Sequence, residues 1–427
     1  MVRNIPDDLC SLTAVQAARL NHDGSVGLVA LTDAYLHRIA AVEPSIRAFA
    51  CFDALRARAA AAAAPPGPLQ GIPVGVKDVL DTSDMPSEYG SPIWSGWQPR
   101  ADAAAVAAVR AAGGVVIGKT VTTEFATRQP GPTMNPVNPA HTPGGSSSGS
   151  AAGVGAGLFP LAFGTQTAGS VIRPAAFCGV VGYKPTFGLI CRSGMKIMSD
   201  SLDTVGVIAR TVADCALFAG AVSGRDLGDP DAKPEHAPRI GICRSPVWSA
   251  AAPETVALLE RVTNALGRAG ASVCERELPE DFVDLTRAHP IIMNAESARS
   301  LGWERTHHPE LISEGLRERL AFGLEQSEAA LDEAYAVFAR TRAAFPRAMD
   351  GLDVLVTPAA PGEAPKGLEW TGDPVFNFIW TSLHVPCVTV PAGTGPNGLP
   401  LGIQIVGRQG DDRAVLARAR WVQAALG

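Results

Sequence analysis

The chain has 427 residues, of which 46% are hydrophobic and 18% charged, and its formal net charge is −6. This size and composition allow a large buried core, and the acidic balance argues against a nucleic-acid-binding face, which needs a basic patch. No apolar run reaches the ~18 residues of a membrane span, and residues 1–8 lack the apolar stretch of a signal peptide. The eight cysteines are scattered without paired spacing, which is typical of reduced thiols. We therefore expect a cytoplasmic protein with no nucleic-acid or membrane partner.

The N-terminal part of the chain is predicted to be helical. Residues 11–21 and 25–42 have apolar side chains at helical spacing, and Ser25 is a candidate N-cap. Residues 54–64 form an alanine-rich helix that ends at a proline-rich stretch. If the protein forms a homodimer, these N-terminal helices are the expected contact.

From residue 70 onward, predicted strands alternate with predicted helices. The strands are expected at 72–76, 115–117, 205–208, 240–243, 354–357 and 387–390, and the helices at 103–112, 151–157, 212–223, 255–266 and 296–345. Residues 226–238, rich in Asp, Pro and Gly, predict a loop. Such alternation is typical of an α/β sheet covered on both faces.

We expect one large α/β domain with a central mixed β-sheet flanked by helices on both faces. Its parts are N-terminal helices (1–65), a core (70–220), a mostly helical and variable excursion (225–345) and a C-terminal return to the sheet (350–427).

Three polar residues stand in unusual local sequence. Ser146 and Ser170 each follow a glycine in runs that neither a helix nor a strand favours, and Lys77 ends an apolar, strand-like run. A glycine before a serine removes the Cβ that would obstruct a ligand or an unusual backbone conformation. Two such serines and a lysine suggest nucleophilic acyl chemistry without histidine.

These runs resemble those of the amidase signature enzymes. The resemblance rests on residues 71–78, 144–152 and 167–170, with Ser170 falling 24 residues after Ser146, and continues through 177–186 and 201–206 with a weaker echo at 398–404. The family hydrolyses amides through a Ser–cis-Ser–Lys triad. The resemblance thus implies Ser170 as nucleophile, Ser146 as a bridging serine after a cis peptide bond, Lys77 as general base, and no metal or organic cofactor.

The chemistry of these positions agrees with the implied roles. The backbone N–H groups of Thr167, Ala168, Gly169 and Ser170 are candidates for an oxyanion hole. Lys77 can act as a base only when neutral, and burial at the end of an apolar strand would lower its pKa in that direction. We expect Ser148 or Ser150, rather than Ser146, to cap the helix that follows.

Four further residues are candidate substrate contacts, each with a structural alternative. Arg173 matches an arginine that clamps a carboxylate in small-diacid amidases of the family, but it could equally hold backbone carbonyls or pair with Asp203. Gln166 stands where many members have Asp. Trp94 and Trp97 would either line the mouth of the site, suiting an apolar acyl group, or pack their own loop. The walls of the site are expected from 80–98, 125–140 and 290–345.

Two other motifs are interpreted as structural. Residues 113–120 match the phosphate-loop pattern G-x-x-x-x-G-K-[ST], but a predicted strand fills the part that should be an irregular loop. His307 and His308 lack the spacing of a metal-binding helix and predict a solvated helix end.

The leading functional hypothesis is a stand-alone amidase that acts on a small-molecule amide. The alternatives are the amidase subunit of a glutamine-dependent aminoacyl-tRNA amidotransferase, a hydrazide, ester or carbamate hydrolase on the same fold, and a catalytically silent binding protein. The intact triad argues against the last of these.

Overall fold

The computed structural model describes residues 8–229, 232 and 236–427. The helices of eight residues or more in the first half are α1 (Ala14–His22), α2 (Leu28–Ile46), α3 (Ala54–Ala62), α4 (Ala104–Ala111), α5 (Ser148–Gly155) and, after the short α6 (Ile172–Phe177), α7 (Val212–Ser223). The second half adds α8 (Pro253–Arg268), α9 (Leu285–Ser300), α10 (Gly302–His307), α11 (Glu314–Leu324), α12 (Glu328–Ala348), α13 (Phe378–Ser382) and α14 (Asp412–Leu426).

The strands of the described residues join into one mixed sheet. They are β1 (Phe49–Phe52), β2 (Pro73–Lys77), β3 (Val115–Thr120), β4 (Leu161–Gln166), β5 (Val181–Lys184), β6 (Thr204–Ala209), β7 (Arg239–Ile242), β8 (Ser272–Glu275), β9 (Val354–Pro358), β10 (Cys387–Thr394) and β11 (Pro400–Val406). Their order is β1-β3-β2-β4-β6-β5-β10-β11-β9-β7-β8. Strand β2 runs parallel to both β3 and β4, and β7 runs parallel to both β8 and β9.

Helices cover both faces of this sheet, as the sequence predicts. Along β9, Val354 and Val356 belong to one large apolar cluster, whereas Leu355 between them belongs to another. Because successive strand residues point to opposite faces, the two clusters lie on opposite sides of the sheet. The first cluster includes residues of α2, α4, α7, α8 and α14, and the second includes residues of α9, α12 and α13.

Two expectations about the chain's organisation need correction. The segment 225–345 does not leave the sheet over its whole length, because β7, near the strand expected at 240–243, and β8 extend the sheet beyond β9. Helix α2 begins after Gly27 without a side-chain cap, so Ser25 does not cap it. Of the loop predicted at 226–238, the described residues contain no helix or strand, and the others lie outside the described residues.

Within residues 8–229, 232 and 236–427, no helix combines the length and the apolar character needed to cross a bilayer.

Candidate active site

The fold brings Lys77, Ser146 and Ser170 to one edge of the sheet. Lys77 is the last residue of β2, whose parallel neighbour β4 ends at Gln166, four residues before Ser170. The carboxyl ends of parallel strands lie at the same edge, which is where α/β folds usually form their sites. Ser146 lies just before α5, which packs against both strands.

Lys77 is buried and faces hydroxyl groups. Its side chain has 0% exposure, and Nζ lies 2.7 Å from Oγ of Ser146 and 2.7 Å from Oγ1 of Thr165. Burial, which disfavours the charged form, lowers the pKa of Lys77 to about 7, while the carboxylate of Asp203 acts in the opposite direction. An amine with this pKa is partly neutral near pH 7 and can accept a proton.

The peptide bond before Ser146 is cis, as the resemblance implies. Ser146 itself is 1% exposed. A Cβ on Gly145 would lie 2.8 Å from Cγ2 of Thr371, so this position has no room for a larger residue.

Ser170 lies in the turn between β4 and α6 and opens onto a cavity. The backbone N–H groups of Thr167, Ala168, Gly169 and Ser170 donate to no acceptor among the described residues, so four donors remain available beside the Ser170 hydroxyl. Free N–H donors beside a nucleophile are what stabilise the oxyanion of acyl transfer.

The two serines are neighbours, but their hydroxyl groups do not form a hydrogen bond in this structure. The backbone N–H of Ser147 donates to the carbonyl of Ser170 at 3.4 Å, which holds the two segments together. Catalytic hydrogen bonds are often long in unliganded sites and shorten when substrate binds. The Lys77–Ser146 hydrogen bond is therefore already present in this structure, whereas a hydrogen bond between the Ser146 and Ser170 hydroxyl groups is not.

The turn that carries Ser170 is braced by the C-terminal part of the chain. Oγ1 of Thr381 donates to the carbonyl of Ala168 at 2.8 Å. A Cβ on Gly169 would lie 2.4 Å from Oδ1 of Asn377, so only glycine fits against that side chain. On the other side, Thr167 donates to the buried carboxylate of Asp203 at 2.5 Å, and the buried ring of His289 lies 2.9 Å from the Thr167 carbonyl.

Gln166 is occupied with structural partners, which corrects its assignment as a substrate contact. Its Oε1 accepts from the N–H groups of Val171 at 2.9 Å and Ile172 at 3.1 Å, and its Nε2 donates to Thr381 at 3.0 Å. These bonds satisfy the buried amide and fix the start of α6.

Arg173 holds backbone carbonyls and also reaches the cavity. Its guanidinium donates to the carbonyl of Thr371 at 2.9 Å and to that of Gly145 at 2.7 Å, and it does not pair with Asp203. The remaining nitrogen, Nη1, is buried without a hydrogen-bond partner among the described residues. Arg173 therefore has the expected structural role of holding backbone carbonyls, and its Nη1 has no hydrogen-bond partner within the part of the chain that the structure describes.

The cavity beside Ser170 has a volume of about 190 Å³. Its lining residues are Ala126, Thr127, Arg128, Thr167, Ala168, Ser170, Arg173, Met293, Arg319, Trp370, Thr371, Gly372, Asp373 and Pro374. The walls expected from 125–140 and 290–345 are thus present. Nothing from 80–98 contributes, and the segment 370–374, which sequence reasoning missed, forms the remaining side.

Trp94 and Trp97 do not line this cavity, which corrects the expected aromatic mouth. Nε1 of Trp94 donates to Glu304 at 3.0 Å, and its ring packs against Trp97 and Trp303. Their loop is therefore packed against α10. The aromatic residue at the cavity is instead Trp370, which is 50% exposed.

The other serines and the phosphate-loop match have structural explanations. Ser148 donates to the carbonyl of Val121 and Ser150 to that of Phe163, so neither caps α5, contrary to expectation. The G-x-x-x-x-G-K-[ST] match falls on β3, where the buried Lys119 forms an ion pair with Asp78 at 2.8 Å.

The comparison with known proteins defines the class of this protein. The chain belongs to the amidase family, whose family model, Amidase, matches residues 30–416. It is an amidohydrolase that acts on linear amide C–N bonds.

Individual relatives fall into two groups. Among curated proteins, the chain is 35% identical to the A subunit of glutamyl-tRNA(Gln) amidotransferase from Roseiflexus castenholzii, over 96% of this chain and 94% of the relative. Among solved structures, it is similar to an amidase (TM-score 0.89, 29% identity, 97% of this chain and 100% of the other). It is also similar to 6-aminohexanoate cyclic dimer hydrolase complexed with substrate (TM-score 0.86, 26% identity, 98% of each chain).

Proposed function

We propose that the chain hydrolyses a small carboxylic amide through a covalent acyl-enzyme on Ser170, with Ser146 relaying the proton to Lys77. The observation that carries the proposal is the buried Lys77, with its lowered pKa, at 2.7 Å from Ser146 and opposite a turn with four free N–H donors. A base, a relay and an oxyanion site beside one nucleophile that opens onto a cavity are the parts that acyl transfer needs.

The reaction follows from these parts. Neutral Lys77 takes the proton of Ser146, Ser146 takes that of Ser170, and Oγ of Ser170 bonds to the amide carbon. The carbonyl oxygen becomes an oxyanion that the N–H groups of residues 167–170 bind. The C–N bond then breaks as the leaving nitrogen receives the proton back through Ser146. Water, deprotonated by the same relay, attacks the ester, and the acid leaves with Ser170 restored.

A second function has its own support. Curated relatives that are 32–35% identical to this chain, and that match over most of it, are A subunits of glutamyl-tRNA(Gln) amidotransferase. In that function, the same acyl-enzyme chemistry on glutamine would release ammonia for a second protein of the complex. The structural similarity to a hydrolase and an amidase over nearly the whole chain supports amide hydrolysis as the reaction of this chain.

One experiment tests the reaction and separates the two functions. The purified chain is assayed for ammonia release from a panel of short amides that includes glutamine, with matched esters, hydrazides and carbamates. It is also treated with a fluorophosphonate, and the labelled peptide is identified by mass spectrometry. We expect turnover of at least one non-glutamine amide and labelling at Ser170, both lost in Ser170→Ala and kept in Ser95→Ala, which changes an exposed loop serine.

The outcomes are distinct. Labelling of another serine, or turnover retained in Ser170→Ala, contradicts the Ser170 assignment. Turnover of glutamine alone, together with co-purification of a second protein from the native host, would favour the amidotransferase function over the stand-alone amidase.

A further inference from the structure

Two side chains from distant parts of the chain hold the backbone carbonyls of the turn that carries Ser170. Nε2 of His289, on α9, lies 2.9 Å from the carbonyl oxygen of Thr167. Oγ1 of Thr381, on α13, donates to the carbonyl of Ala168 at 2.8 Å. Both side chains are buried, with exposures of 2% and 1%. These hydrogen bonds are shielded from water, and they fix the orientation of two successive peptide groups.

The hydrogen bond from His289 has a defined donor. Burial lowers the pKa of its imidazole to about 4, so the ring is neutral at pH 7 and carries one N–H. Because Nε2 faces a carbonyl oxygen, which can only accept, that N–H is on Nε2. The ring stacks on Phe378, with 5.2 Å between the ring centroids, and Phe378 lies about one turn before Thr381 in α13. The two side chains are therefore fixed to the same short helix.

The hydroxyl group of Thr381 also has its single proton assigned. It accepts a hydrogen bond from Nε2 of Gln166 at 3.0 Å. Of the two carbonyls within its reach, that of Ala168 at 2.8 Å is nearer than that of Asn377 at 3.4 Å. Oε1 of Gln166 accepts in turn from two backbone N–H groups at the start of α6. A chain of hydrogen bonds thus runs from α6 through Gln166 and Thr381 to the turn, and such chains strengthen their members.

The orientation of the held carbonyls sets the direction of the free N–H groups. Gly145–Ser146 is the one cis peptide bond among the described residues, so the peptide bonds of this turn are trans. In a trans peptide group, the C=O and the N–H point in opposite directions. The N–H of Ala168 therefore points away from His289, and that of Gly169 points away from Thr381. A hydrogen bond to the carbonyl of a peptide group also polarises its N–H, which makes it a stronger donor.

The N–H of Ser170 does not depend on a side chain in this way. The carbonyl of the same peptide group, that of Gly169, accepts from the backbone N–H of Arg173 at 2.9 Å. This bond forms with the first turn of α6 and involves the backbone alone. The directions of the two preceding N–H groups depend instead on side chains that a substitution can remove.

We propose that His289 and Thr381 are positioning residues that aim the N–H groups of Ala168 and Gly169 at the oxyanion formed when Ser170 attacks. The inference rests on the proposed reaction, because that reaction creates the oxyanion. Neither side chain lines the cavity, so both act through the peptide groups that they hold. Donors fixed in place before charge develops need no reorganisation in the transition state, which is the source of their effect.

The test uses substitutions that remove or keep each donor. His289→Leu and Thr381→Val remove it, whereas His289→Gln and Thr381→Ser keep an N–H or O–H in its place. The rate of Ser170 labelling by a fluorophosphonate is measured for each, because the phosphoryl oxygen occupies the position of the oxyanion. We expect the donor-removing variants to label roughly tenfold or more slowly, less than the roughly 10²–10³-fold lost with an oxyanion donor itself, and the donor-keeping variants to retain most of the rate.

Turnover of the best amide gives a second measurement. The donor-removing variants should lower kcat while KM changes little, because the aimed N–H groups bind the oxyanion more strongly than the carbonyl of the bound amide. Thr341→Val is the matched control. Thr341 is buried on α12, its hydroxyl donates to the carbonyl of Val337 in the same helix, and it does not line the cavity. This control should change neither the labelling rate nor kcat.

Crystal structures of the variants show the peptide orientation without any turnover. The carbonyl of Thr167 in His289→Leu, and that of Ala168 in Thr381→Val, should leave the orientation described above or adopt more than one. Thermal unfolding first verifies that each variant is folded; if one is not, His289→Phe or Thr381→Ala takes its place.

The outcomes separate the positioning role from the reaction. If the unmodified protein is not labelled at Ser170, the proposed reaction fails, and the crystal structures alone decide the positioning role. Unchanged carbonyl orientations in both donor-removing variants overturn the proposal. Labelling rates equal to that of an unmodified protein that is itself labelled overturn it as well.

Discussion

Lys77 and Lys119 lie on the neighbouring parallel strands β2 and β3, and both have 0% exposure. Lys119 forms an ion pair with the buried Asp78 at 2.8 Å, and Ser87 accepts a further hydrogen bond from it. Lys77 has only hydroxyl and carbonyl oxygens within hydrogen-bond distance among the described residues, and the one carboxylate that acts on its pKa, that of Asp203, makes no ion pair with it.

The difference shows that burial alone does not make a lysine a base. A carboxylate in contact stabilises the ammonium form, whereas contact with neutral oxygens alone lets desolvation outweigh the more distant Asp203 and favour the amine. Two lysines that are distant in sequence and side by side in the sheet can therefore have different tasks: the geometry favours a structural ion pair for Lys119 and proton transfer for Lys77.

The largest effect expected from changing either lysine is the loss of turnover when Lys77 is replaced. Lys77→Met should lower kcat/KM for the best amide by roughly 10²–10⁴-fold, because it removes the proposed general base. The fold should persist, since an apolar side chain replaces an amine that is already largely desolvated. Steady-state kinetics, with circular dichroism to verify folding, measure this. Turnover within a few-fold of the unmodified protein would show that Lys77 is not the base.

The second effect concerns stability at Lys119. Lys119→Met leaves the Asp78 carboxylate buried without its cation, so we expect the free energy of unfolding to fall by about 3–5 kcal/mol. Urea unfolding checks this value. The double variant Asp78→Leu, Lys119→Met removes both charges and should recover most of the loss. If Lys119→Met left stability unchanged but abolished turnover, the division of tasks between the two lysines would be reversed.

The third and smallest effect is a shift in pH dependence. With the pKa of Lys77 at about 7, kcat/KM should rise through that pH and level off above it. Asp203 raises this pKa, so Asp203→Asn should move the midpoint to lower pH. A midpoint that stays in place, or moves upward, would contradict the coupling between the two residues.

Stability gives an independent check on the same pKa. Between about 7 and the ordinary value of 10.5, the unfolded chain holds a proton on Lys77 that the folded chain does not. The contribution of Lys77 to the free energy of unfolding therefore increases as pH rises through this window. Lys77→Met should not show this increase. If the pH–stability curves of the unmodified protein and of Lys77→Met were parallel, the pKa of Lys77 in the folded protein would have its ordinary value.

The sequence predicted the fold class and much of the core because hydrophobic periodicity and turn residues are local signals. Strands β2, β6 and β9 and helices α4 and α7 lie within a few residues of their predicted bounds. Strands β4 and β11 were missed because small residues and flanking glycines conceal their periodicity, and their assignment depends on neighbours distant in sequence. Tertiary pairing of this kind overrides local propensity.

For the site, the motifs were enough to place Lys77, Ser146 and Ser170 together, because each stands in a recognisable run. The walls were not predictable in the same way. Arg319 and Trp370 lie in segments without any motif and reach the cavity only through packing. Trp94 and Trp97 lie near Lys77 in sequence, but the Trp94 ring packs against Trp303 of α10 and the Trp97 ring packs against Trp94. Sequence proximity was therefore a poor guide to which residues face the substrate.

The bracing of the Ser170 turn has a consequence for protein synthesis. Lys77, Ser146 and Ser170 all leave the ribosome well before residues 371–381, which supply the contacts to Ala168, Gly169 and Arg173. A nascent chain that has grown only to residue 370 contains every proposed catalytic residue but lacks the segment that shapes the nucleophile's turn. The turn of the proposed nucleophile therefore gains these contacts only after all three residues of the proposed triad have been synthesised.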